Sequence, residues 1–209
     1  MFIIIKEKTM GTKERKERQK TDMQKAILDA ALKLFSDDGF ENVTMRRIAD
    51  TIEYSVGTIY LYFKDKNEIL FELHKKGFEE FYKKQLNVQH IKEPKERLFA
   101  HGTAYIEFAM QNPEYYDVMF ISRGPAKQMK EYQEWEEGLR TYDLLKLNII
   151  QAQQTGYLAG VDVEVAAFTF WSLVHGISSL YIRDRLVMIP DDAIQYLIDG
   201  SLNLLKKLN

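Results

Sequence analysis

The 209-residue sequence contains no cysteine, which removes disulfide frameworks, zinc-thiolate sites and cysteine nucleophiles together. Its four histidines, His74, His90, His101 and His175, show neither HxxxH nor HExxH spacing. There is no glycine-rich phosphate loop, and Ser178-Ser179 lies in no nucleophile elbow. Carboxylates such as Glu136-Glu137 fall on a charged helix face and read as solvated. No catalytic residue, metal or cofactor is therefore expected, and the protein is not read as an enzyme. No segment alternates apolar and polar residues between hairpin signals, so strands are not expected. The apolar run Phe2-Ile3-Ile4-Ile5 is too short for a signal-peptide core, its charges follow it instead of preceding it, and no stretch approaches a membrane span. A cytoplasmic chain without membrane contact is expected. A strong charge of one sign is also missing. The formal total is −2, and residues 1–70 hold thirteen Lys and Arg against twelve Asp and Glu. Any attraction to a polyanion must rest on where the charges stand.

What is present concentrates in residues 44–66, TMRRIADTIEYSVGTIYLYFKDK. Met45, Ile48, Ala49 and Ile52 recur at i, i+3, i+4 and i+7, an apolar stripe that leaves Arg46, Arg47 and Asp50 looking outward. Ser55 can cap a second short helix, and Gly57 and Thr58 keep its start small enough for a backbone to approach a phosphate or base edge. Two short helices across a tight turn suit a major groove. Arg46 is a candidate for a guanine edge, and Val56 for a thymine methyl. Arg47 reads equally well as a solvated charge, and Ile59 and Phe63 as core.

At these residues the sequence resembles the TetR family of transcriptional regulators, whose helix-turn-helix signature is matched by Thr44, Arg46, Ile48, Ala49, Ser55, Gly57, Thr58, Tyr60, Tyr62, Phe63 and Lys66. The match runs from AILDAALKLFSDDGFENVT through KNEIL. WSLVHG at 171–176 and NPEYYDVMF at 112–120 are similar to one ligand-domain subgroup with a Trp-His-Gly helix. The chain departs from the pattern at Ile52-Glu53-Tyr54, where many relatives have Ala-Gly-Val. Glu53 must then make a left-handed turn, at a cost on the order of 1 kcal/mol. The resemblance implies that Thr44, Arg46, Arg47, Ser55, Val56, Gly57, Thr58, Tyr60, Tyr62 and Lys66 face DNA. Phenol and ammonium groups there would donate to phosphates without reading sequence.

The remainder is helical in period, so the fold class is all-α. The expected organisation is a flexible charged arm over 1–20, a helix-turn-helix DNA-binding domain over 21–66, and a helical ligand-binding and dimerisation domain over 67–209, entered through a linking helix capped by Asp65. Helices are expected over about 95–110, 113–121, 126–154, 162–185 and 191–207, broken by Arg123-Gly124-Pro125, Gly156 and Pro190. The 162–185 helix is apolar nearly all round. Its small residues Ser172, Gly176 and Ser179, flanked by Leu173, Ile177 and Leu180, admit a second helix closely, and Ile194, Leu197 and Ile198 extend that seam. A four-helix dimer interface is what the resemblance implies, and burial inside one monomer is the competing account. The resemblance also predicts a ligand pocket, for which His101, Tyr105, Phe108, Tyr116, Phe120, Trp135, Tyr142, Phe168, Trp171 and His175 are the candidate lining residues, with a satisfied core or interface histidine the favoured reading of His175.

The resemblance, with these features, implies a homodimeric, sequence-specific DNA-binding regulator, a repressor released from a palindromic double-stranded operator by an apolar or aromatic small molecule. The alternative is a helical adaptor or architectural DNA-binding protein with no small-molecule ligand. The interior decides between them, since a sensor needs a cavity and an adaptor does not.

Overall fold

The computed structural model describes residues 11–121 and 136–207, and every regular element among them is helical. The chain divides into two compact units, one ending at Glu72 and the other beginning at Leu73.

In the first unit, α1 spans Thr12–Asp38, a 3-10 turn covers Phe40–Asn42, α2 spans Met45–Thr51 and α3 spans Val56–Tyr60. The first helix starts about nine residues earlier than its apolar period suggests, so residues 12–20, expected as an arm, are helical. Lys, Glu and Arg are good helix formers without any apolar partner. Glu14 also reaches back to accept from the Gly11 N–H at 3.1 Å, and Arg18 pairs with Asp22 one turn on. Ile27, Ala31 and Phe35 of α1 are buried, as are Val43, Ile48, Ala49, Ile59 and Phe63, the core of this unit. Gly39 ends α1 with φ +81°, a conformation open to glycine. Glu53 carries φ +60° in the turn between α2 and α3, as its place in the sequence demanded.

The helix α4 runs Lys66–Leu86, and the boundary between the units falls within it. Asp65 Oδ1 accepts from the N–H groups of Asn67 and Glu68, both at 2.9 Å, which satisfies donors the first turn leaves free.

In the second unit, α5 spans Pro94–Gln111, α6 spans Pro113–Tyr116 and passes into a π-helical turn at Asp117–Ile121, α7 spans Glu136–Gln154, α8 spans Val163–Ile182 and α9 spans Asp191–Lys207. The central helix is α5, packed against α7, α8, α9 and α6. Gly102 lets α8 come close: a Cβ there would stand 2.8 Å from the Phe170 ring. On length and mean hydropathy alone α8 could cross a membrane, which the sequence reading did not expect. One side of it, Ala166, Ala167, Phe170, Val174 and Ser178, is buried in this unit.

Candidate nucleic-acid interface and ligand cavity

The exposed side of α2 and α3 carries most of the residues proposed to read DNA. Arg46, Arg47, Ser55, Val56, Gly57 and Tyr60 are exposed, Thr58, Tyr62 and Lys66 are half-buried, and Ile59 and Phe63 are buried beneath them. Local hydrogen bonds set this surface. Thr44 Oγ1 accepts from the Arg47 N–H at 3.1 Å and so caps α2. Ser55 Oγ accepts from the Thr58 N–H at 3.1 Å and lies 3.0 Å from Thr58 Oγ1. Nothing in the chain requires glycine at 57, since a Cβ there would meet only Ser55 Oγ, at 3.6 Å. The room is available to something outside. Two of the cations are partly committed: Arg47 pairs with Asp38 at 2.7 Å, and Lys66 Nζ donates to Phe40 O at 2.6 Å while lying 4.2 Å from the Phe40 ring centroid. Lys66 thus also seals the exit of α1. Tyr54 and Leu61 stand exposed on the same unit, though the sequence reading gave neither a role.

The second unit holds a partly open cavity of about 250 Å³, lined among the described residues by α4, α5, α7 and α8 together with Phe120. Of the residues expected to line it, His101, Tyr105, Phe120, Tyr142 and Trp171 do so. Four do not. Phe168 is 62% exposed, because the buried side of α8 runs through Ala167, Phe170 and Val174 and turns 168 outward. Phe108 is buried against Phe81 and backs a shallow polar groove with Lys84 and Glu107 instead. Tyr116 and His175 satisfy each other: Tyr116 Oη lies 2.7 Å from His175 Nδ1, with Tyr105 Oη at 3.3 Å. Burial pushes the Tyr116 phenol up to about 12 and lowers the His175 imidazole. Trp135 lies outside the described residues. Phe78, Phe81 and Gln85 of α4, Leu139, Thr141 and Leu145 of α7, and Phe170 and Val174 of α8 complete most of the wall. The spacing of 78, 81 and 85 at i, i+3 and i+7 was a legible signal for one shared face.

Across α8 and α9 an apolar surface remains uncovered in the single chain. Val165, Phe168, Leu180, Tyr196, Leu197 and Leu204 are exposed, with Ser172 exposed and Leu173, Ile177 and Ile194 half-buried among them. A Cβ at Gly176 would meet nothing within 4 Å. The Ser172–Gly176 seam is therefore open at its glycine, while Ile198 is buried midway along α9. Among the described residues no group of His, Cys, Asp and Glu could hold a metal ion.

Two family profiles match this chain: bacterial regulatory proteins of the tetR family over residues 27–73, and a tetracyclin repressor-like C-terminal domain over residues 98–200. The chain belongs to the TetR family. TetR regulators are DNA-binding proteins without enzymatic activity. Curated relatives match over the DNA-binding part: the transcriptional repressor KstR of Mycolicibacterium smegmatis is 36% identical over 76 residues, 36% of this chain and 35% of that protein. The regulator HbdR of an Aromatoleum strain is 39% identical over 81 residues, 38% of this chain and 35% of that protein. The chain thus spans about a third of the length of the curated relatives it matches. Solved structures align over most of it. Apo AibR is 25% identical with a TM-score of 0.69, covering 87% of this chain and 97% of that one. The fatty acid degradation regulator FadR from Bacillus halodurans, at 18% identity, TM-score 0.71 and coverage of 96% and 97%, shows the shared fold. In this TetR-family chain, as in the sequence reading, the larger unit is wholly helical among its described residues.

Proposed function

We infer that the protein is a homodimeric repressor whose two reading heads, each α2 and α3, grip half-sites of a palindromic operator, and that an apolar molecule in the cavity of the larger unit releases it. The dimer forms through α8 and α9, where a second copy would cover Phe168, Leu180, Leu197 and the Gly176 seam. Half-sites lie about 34 Å apart or at a multiple of that, so a small change in the separation of the heads breaks the second contact. A ligand in the cavity would touch α4 through Phe78, Phe81 and Gln85, and α4 begins at Lys66, next to the reading helices in the chain. The protein works in the cytoplasm, where its operator is.

The observation that carries sensing over a purely architectural role is the cavity itself: about 250 Å³ with a nearly all-apolar wall, close to the lower edge of the roughly 300–1,000 Å³ typical of ligand sites. The test joins two measurements. Fragments upstream of the protein's own coding region that contain an inverted repeat are assayed for binding, and small apolar and aromatic compounds are screened by thermal melting. A true effector at a hundred times its dissociation constant adds about 2.7 kcal/mol of stability and weakens operator binding in the same titration, as linkage requires. A ligand that stabilises the protein without changing DNA affinity would overturn the release mechanism.

A further inference from the structure

One side chain on the reading helix serves neither the core nor a phosphate. The short helix α3 is anchored from beneath by Ile59 and Phe63, 0% and 4% exposed. Leu61 follows it directly with φ −73° and ψ −17°, and its N–H donates to Thr58 O at 3.1 Å, so the helical course continues through it. Its side chain is nevertheless left outside, with the residue 80% exposed. A leucine scattered singly on a surface is ordinary and calls for no account. This one shares a side of α3 with Gly57 and Tyr60, since residues three and four apart fall on one helix face. Val56, 38% exposed, adds a second aliphatic group at the helix start.

Between Tyr60 and Leu61 that face has a hollow. Gly57 brings no side chain there: a Cβ would meet only Ser55 Oγ, at 3.6 Å, and no atom of the Leu61 side chain comes within 4 Å of it. Positions one turn apart on a helix stand about 5–6 Å apart at Cβ, so the hollow has the width of one small group, with Gly57 as its floor and Leu61 as one wall. An aliphatic wall can neither donate nor accept. In a major groove the apolar group that a base edge presents is the C5-methyl of thymine. The other edge atoms are donors and acceptors, which an aliphatic side chain would strip of water without return. A phosphate gains as little from Leu61, because its contacts are hydrogen bonds and charge.

We propose that Leu61 reads sequence: its side chain closes on the C5-methyl of one thymine in each half-site, seated in the hollow at Gly57. Such a contact rests on the reading of α2 and α3 as operator-gripping heads and names one base within it. Tyr60, on the other side of the hollow, holds the DNA backbone, while Leu61 tells a T·A pair from its three alternatives.

The test uses the full chain and a duplex recovered with it by repeated selection from a random-sequence library. Each thymine of one half-site is replaced in turn by deoxyuridine, which deletes the methyl and keeps the base pair. Binding is measured for the native protein, Leu61→Ala and Val56→Ala; truncating so exposed a side chain as Leu61 leaves the fold intact. At one thymine the native protein should lose about fourfold in affinity, the scale of one buried methyl group. Leu61→Ala should show no loss at that position and Val56→Ala should keep it, because a double-mutant cycle couples the groups in contact. A native protein indifferent to every methyl deletion, or a Leu61→Ala protein as sensitive as the native one at each thymine, would remove Leu61 from base reading and leave the regulator standing. If selection with the native chain recovers no preferred sequence, the regulator reading itself fails and takes this contact with it.

Discussion

Lys66 is the residue at which scaffold and contact meet. Its ammonium lies on Phe40 O and beside the Phe40 ring, so removing it disturbs the exit of α1 as well as any phosphate it reaches. Lys66→Ala should lower stability by about 1 kcal/mol, the scale of a partly solvated hydrogen bond to a charged group, and flatten the salt dependence of DNA binding. Tyr60, 54% exposed, should behave differently: Tyr60→Phe weakens binding to specific and random DNA about equally and leaves the urea midpoint unchanged. Urea titration and a binding isotherm on both variants check this, and a Lys66→Ala protein of native stability would show that the Phe40 contact contributes nothing. Residues of this kind are only half legible in a sequence. A stripe at i, i+3, i+4 and i+7 identifies Ile48 and Ala49 as core, but a lysine's preference for a carbonyl 26 positions away has no local signature. Gln85 is the stronger case, since a lone glutamine near the end of a helix looks like any solvated residue. Its amide lies 3.0 Å from His101 Nε2, on another helix.

Among the elements, α8 shows how far periodicity reaches. Its composition made it apolar all round, and the structure resolves this into a buried side at 167, 170, 174 and 178 and an uncovered one at 165, 168, 172 and 180. Phe168 was assigned to the pocket because all sides of such a helix look alike in sequence. One helical step, about 100°, separates a wall residue from a surface one. The beginning of α1 was left open for the opposite reason, as its first turns have no apolar stripe to report them. The seam on α8 gives a prediction. Gly176→Leu places a large side chain where a Cβ now meets nothing, so the isolated fold should tolerate it. A dimer through this seam would be overpacked by roughly 1–3 kcal/mol per site. Sedimentation should show monomer replacing dimer, with circular dichroism unchanged and operator affinity lost. An unaltered dimer would move the interface off α8.

The molecule as a whole carries two buried neutral histidines, His74 and His101, each with its pKa lowered to about 4 by burial. In the unfolded chain both rings titrate near 6.5. Above that pH neither state binds the extra proton and the contribution to stability is complete. Between about 6.5 and 4 the unfolded state takes protons that the folded state refuses, so stability falls with falling pH by about 3 kcal/mol per ring as an order of magnitude. The melting temperature should therefore drop between pH 6.5 and 4, and His101→Gln should flatten that slope; an unchanged slope would mean that His101 is not held neutral. A different consequence follows from the course of α4. Cutting the chain at the unit boundary would leave the first unit only the opening seven residues of this helix, Lys66 to Glu72, far short of the dozen or more that a free helix needs in water. Compactness marks a border there, but heredity has poor reason to use it. Recombination that exchanged reading heads between relatives meets a conflict either way: a crossover at Glu72 splits this helix, and one after Leu86 carries Phe78 and Phe81 away from the core they complete.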